Sequence, residues 1–163
     1  MARRREGLVV VAVAWWMGMV SCLHAAPDDR AQAVVQQLRG HRDGASIFAA
    51  APAHALVFAA EAGVSPDGVV RLEPDMPTRD AAARYAHLLV HLAEGMPFED
   101  DAHGPCRERL RRARQRELRA IGVENTLRRA WGLSPLPMQV ALERSLAGYR
   151  ARCREPATAS GAE

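Results

Sequence analysis

Apolar residues recur at helical spacing in four stretches of the chain and at strand spacing in three. The first helical stretch has Ala31, Val34, Val35 and Leu38 at i, i+3, i+4 and i+7, with Asp28 or Asp29 to cap it and Gly40 to stop it. A turn-like segment over 41–45 follows, then three short candidate strands at Ser46–Ala50, Ala53–Ala59 and Gly68–Glu73. Asp67-Gly68 supplies the turn before the third, while the Ala-rich run His54–Ala62 would also suit a helix. Thr78 is placed to cap a helix that runs to about Glu94 and stops at Gly95. Residues 97–105 read as a polar loop, Arg107 to Ala130 as a long Arg-rich helix, and Met138 to Cys153 as a final helix. The pattern predicts a mostly helical α+β domain: two or three short strands before the third helical segment, and an antiparallel helix hairpin at the C-terminal end.

The N-terminal stretch has a different pattern. Arg3, Arg4 and Arg5 precede an apolar run of 13 residues, Leu8 to Val20. That is short of the ~20 residues a bilayer span needs and suits the core of a signal peptide. Residues 1–25 are therefore expected to be a leader cleaved after Ala25, with an uncleaved N-terminal anchor as the alternative. Met19-Val20-Ser21-Cys22 is similar to a bacterial lipoprotein box, with Met in place of the usual Leu, which makes Cys22 a candidate lipidation site. Either route exports the domain, to the periplasm or the medium, or to a membrane surface through Cys22. The expected organisation is a leader over 1–25, one α+β domain over 26–154, and a disordered tail over 155–163.

Composition changes this picture in three respects. All 22 basic residues are Arg, which excludes Lys Schiff-base chemistry and the Lys-dependent phosphate loop. Removal of residues 1–25 leaves 138 residues and lowers the formal charge from +3 to +1, so net charge gives no argument for nucleic-acid binding. It also leaves two of the three cysteines, Cys106 and Cys153.

The long helix carries an inward stripe of Leu110, Ala113, Ala120, Ile121, Leu127 and Trp131, which Cys106 extends. The last helix carries Met138, Leu142, Leu146 and Tyr149, which Cys153 extends. In an antiparallel hairpin both cysteines face inward at one end. We expect a Cys106–Cys153 disulfide there, worth about 4 kcal/mol in the chain-entropy account; two free buried thiols are the alternative.

His87 and His91 lie one helical turn apart, on a face that also carries Asp80, Arg84 and Glu94. Ala82, Tyr85, Leu89, Leu92 and Ala93 point the other way. Two His at i and i+4 are the smallest helical arrangement that can hold a metal, and also an ordinary solvated helix face.

The stretch from Gly68 through Glu73-Pro74, followed by the segment from Thr78 to His91, resembles the strand and active-site helix of the zincin metallopeptidases. In that family two His of a His-Glu-x-x-His helix bind zinc and the Glu is the general base. The resemblance implies His87 and His91 as ligands. The base position is Leu88, which cannot accept a proton, so it implies a degenerate, non-catalytic relative. It also implies a third ligand from a later helix, sometimes within Glu-x-x-Ala. Glu117-Leu118-Arg119-Ala120 matches those words. Glu117 lies within the inward stripe of the long helix, where a carboxylate requires a partner. Glu124 lies on the same stripe and is the alternative ligand; Glu94 and His103 are weaker ones.

Other chemistry is poorly represented. None of Ser46, Ser65, Ser134 and Ser145 sits in a Gly-x-Ser-x-Gly elbow, and no glycine-rich phosphate loop follows a strand. The Arg-rich stretch from Arg107 to Arg119 is a solvated helix face or a contact for an acidic protein or anionic lipid surface. An exported chain without interleaved aromatics is not expected to bind nucleic acid. The expectations are then an exported domain with a zinc site of His87, His91 and Glu117, a structural or partner-binding module without metal, or, third, an active metallohydrolase.

Overall fold

The computed structural model of the chain describes residues 28–65, 67–94 and 105–152. The expected leader with Cys22, the C-terminal tail, His103 and Cys153 lie outside them, as does the predicted stop at Gly95.

Helix α1, Asp29–Arg39, begins where Asp28 accepts a hydrogen bond from the Arg30 backbone N–H at 3.0 Å and ends at Gly40. It buries Val34 and Leu38 completely. The predicted strand at Ser46–Ala50 and the turn before it are instead one helix, α2, Arg42–Ala50, which packs back on α1. A Cβ on its Gly44 would stand 2.2 Å from the Leu38 carbonyl oxygen. Gly44, within the segment read as a turn, is thus needed for the close approach of the two helices.

Three strands follow: β1 at Ala55–Phe58, β2 at Gly63–Val64 and β3 at Val69–Leu72. Their order is β1-β3-β2, with β1 parallel to β3 and β2 antiparallel to it. The predicted strands at 53–59 and 68–73 correspond to β1 and β3; β2 has two residues and no readable periodicity. Gly68 turns the chain into β3 at φ 78°, where a Cβ would also crowd the Ala53 carbonyl at 3.3 Å.

Val70 and Leu72 project from β3 into the main core, where helix α3, Thr78–Ala93, lies. Thr78 is its first residue and not its cap; that place falls to Pro77, which makes no side-chain cap bond. Ala81, Ala82, Ala83 and Ala86 are fully buried, and these small side chains let neighbouring helices approach α3 closely. Ala93, predicted to face the core, is exposed.

Helix α4, Cys106–Ala130, packs along α3, and α5, Met138–Arg152, packs back along α4. Asn125 on α4 exchanges hydrogen bonds with the backbone of Leu136, and farther back along α4 Glu117 meets Ser145 on α5, so the hairpin is antiparallel. Ala113, Ile121, Leu142 and Leu146 form its core, whereas Met138 of the predicted stripe is 40% exposed. The architecture is α+β and mostly helical, as the pattern predicted. Among the described residues no helix is long and apolar enough to cross a membrane.

Candidate metal centre

The centre of the molecule holds a group of charged and ionisable side chains. His87 and His91 on α3 and Glu117 and Glu124 on α4 are between 2% and 6% exposed. The solvated helix face that His87 and His91 also suited is not what forms, because α4 packs over it. An Ala-rich helix packed on several sides has no free face, and its polar stripe then meets the inward carboxylates of its neighbour.

The two imidazoles face each other with Nε2 atoms 3.1 Å apart and ring planes at 64°. The carboxylate of Glu117 straddles the pair, with Oε2 3.6 Å from His87 Nε2 and Oε1 3.4 Å from His91 Nε2. One donor atom from each of the three residues lies within 4.8 Å of the others. In a tetrahedral zinc site with bonds of about 2.0–2.1 Å, donor atoms stand about 3.3–3.4 Å apart. The Nε2–Nε2 separation and the approach of each carboxylate oxygen to its own imidazole bracket that value, and the donor set of two imidazoles and a carboxylate is one that zinc takes.

Proton placement points the same way. His87 Nδ1 lies 3.1 Å from Glu124 Oε2, within reach of a hydrogen bond but bent from its line. Two lone pairs at that distance would repel, so Nδ1 carries the proton and Nε2 presents its lone pair to the centre. His91 Nε2–H can serve only one acceptor at a time, so without a cation lone pairs still converge. His87 Nδ1, His91 Nδ1, Glu117 Oε2 and Glu124 Oε2 are buried without a hydrogen-bond partner among the described residues, and a cation on the Nε2 side of the imidazoles would relieve Glu117 Oε2 alone.

Burial lowers the pKa of His87, helped by Arg84 and His91, against the opposing pull of Glu124. The Glu117 carboxyl is desolvated, which works to raise its pKa. His91, His87 and a hydrogen bond from Ser145 outweigh that and hold it below the ordinary value. For His87 and Glu117 these shifts favour the neutral imidazole and the carboxylate, the forms that bind a metal.

Glu124 sits behind His87, 3.7 Å from Arg84 Nη1 and 3.9 Å from Arg128 Nη1. Arg128 in turn pairs with Asp80 at 2.9 Å. The alternative ligand is therefore outside the triad, placed to orient His87; its partners were not foreseen from the sequence. Arg84 and Asp80, both on the predicted His face, come into this network, but Glu94 does not. It forms a two-pronged pair with Arg119, both contacts 2.6 Å. Arg111 likewise pairs with Glu108, so part of the Arg-rich face is neutralised within the chain.

A cleft of about 280 Å³ reaches all three triad residues; Arg84, Leu88 and Tyr149 also line it. A second cleft of about 420 Å³ opens on the other side of Arg84 and His87, beside Glu124 and Arg144. Leu88, where a zincin would carry its general base, presents an apolar side chain to the first cleft. No protein-family model, curated protein or solved structure matches this chain.

Proposed function

We propose that this chain is an exported, non-catalytic metal-binding domain that holds one divalent ion, zinc by its donor set, through His87, His91 and Glu117. The observation that carries the reading is the buried convergence of the two Nε2 atoms, 3.1 Å apart, with the Glu117 carboxylate, whose Oε1 is 3.4 Å from His91 Nε2 and whose Oε2 is 3.6 Å from His87 Nε2. Without a cation the His91 Nε2–H can serve His87 Nε2 or Glu117 but not both, whereas a cation would serve all three residues.

The ligand pattern, two His on one helix and a Glu on the next, resembles the zincin site and supports the same reading. So does Leu88 for the absence of hydrolysis: a side chain that cannot accept a proton cannot serve as general base. Export rests on the leader-like residues 1–25, with anchorage through Cys22 as the variant of that reading.

The test is metal analysis of purified protein dialysed against zinc, beside His87→Ala and Glu117→Ala. One zinc per chain, lost in both variants, is expected. Equal zinc content in wild type and variants removes the site. If zinc is bound, chelator-sensitive peptide hydrolysis would refute the non-catalytic half of the proposal.

A further inference from the structure

Arg84 stands one turn before His87 on α3 and lines both clefts. Its side chain is 32% exposed, and among the described residues its contact is the 3.7 Å approach to Glu124, too long for a hydrogen bond. A guanidinium carries five N–H donors in a fork that matches a carboxylate. Arg84 lines the cleft that His87, His91 and Glu117 also line, so its fork is within a side-chain rotation of a ligand there.

We infer that the metal-loaded site binds a small carboxylate in this cleft, held between the metal centre and Arg84; this rests on the proposed metal site. Charge favours a monoanion. A divalent ion with Arg84 and Arg128 outweighs Glu117, Glu124 and Asp80 by a single positive charge, which one carboxylate neutralises. Three protein ligands leave a tetrahedral ion one further position, as in zinc sites that accept an outside ligand. The cleft's 280 Å³ is the room of about nine waters at ~30 Å³ each, which suits a small acid or the last residue or two of a peptide. Leu88 and Tyr149 give it apolar walls for the carbon part of such a ligand.

The experiment uses protein loaded to one cobalt(II) per chain, whose visible absorption reports the ligands around the ion. Acetate is titrated against wild type, Arg84→Ala, Arg84→Lys and Arg144→Ala. Arg144 lines the second cleft and not the first. Acetate should shift the spectrum saturably, and Arg84→Ala should weaken its binding about tenfold or more, the scale of one charge-assisted hydrogen-bonded pair. Arg84→Lys should recover part of the loss, and Arg144→Ala should match wild type.

Acetyl-dialanine and its C-terminal amide form a second pair of probes. Binding of the free acid but not the amide, at lower concentration than acetate, assigns a peptide C-terminus; acetate binding alone assigns a free small acid. Failure to load cobalt defeats the metal site and this inference with it. Loading without any spectral shift up to roughly 100 mM acetate, a binding free energy weaker than about −1.4 kcal/mol, defeats this inference alone. So would equal losses in the Arg84 and Arg144 variants, or inorganic phosphate binding as well as acetate.

Discussion

Replacing Glu124 by Gln exchanges one carboxylate oxygen for an NH₂ group in a side chain of nearly the same shape, so its consequence is electrostatic. In the native arrangement Oε2 lies 3.1 Å from His87 Nδ1, and the carboxylate is flanked by Arg84 and Arg128 at 3.7 and 3.9 Å. It therefore favours the proton on Nδ1, would make Nε2 a better donor to the proposed metal, and screens His87 from two guanidinium groups. The amide loses the charge and can turn a donor toward Nδ1, which favours the wrong tautomer. Removing a carboxylate that orients a metal-bound imidazole costs about 10–100-fold in metal affinity, or about 1.4–2.8 kcal/mol. Competition for zinc against a chromogenic chelator at neutral pH reads this directly, with circular dichroism to confirm the fold. An affinity equal to wild type would refute the orienting role. A loss as complete as that of Glu117→Ala would make Glu124 a ligand and overturn the assignment of the triad.

Acidification should destabilise the metal-free protein. Burial lowers the His87 pKa in the folded state, so the unfolded chain takes up this proton first. The stabilisation is present above the unfolded value of about 6.5 and is lost as pH falls from there toward the lower folded pKa, which a series of urea midpoints should show as a decline below neutral pH. Gly44→Ala places a methyl 2.2 Å from the Leu38 carbonyl oxygen and 2.7 Å from its Cδ1, and should cost at least about 1–3 kcal/mol, visible as a lowered thermal midpoint. If the expected Cys106–Cys153 bridge forms, neither thiol should be alkylated in denaturant without reductant; labelling of Cys106 under those conditions would count against it.

Four of the helices were legible because each has a long apolar stripe, which over many turns cannot be read at strand spacing; Asp28 and Gly40 also bound α1. Helix α2 was not, since a nine-residue segment with an internal glycine carries too few turns to show its period. The reason for Gly44 is a carbonyl on another helix. Strand β2, two residues long, exists only through its pairing with β3.

For the site, the sequence alone placed His87 and His91 on one helical face and marked Glu117 as an inward carboxylate in need of a partner. Both follow from local periodicity and the cost of burying charge. Whether the His face met solvent or protein was a matter of what packs on α3, and every side of a helix rich in Ala81, Ala82, Ala83 and Ala86 is eligible for packing. The choice between Glu117 and Glu124, two turns apart on one stripe, was likewise beyond helical phase. In the tertiary structure α4 lies against α3 so that Glu117 is on the Nε2 side of the imidazoles and Glu124 on the Nδ1 side of His87, which is what favours Glu117 in the proposed site. A donor's side of the ring depends on angstrom-scale distances between helices, and such distances come from packing.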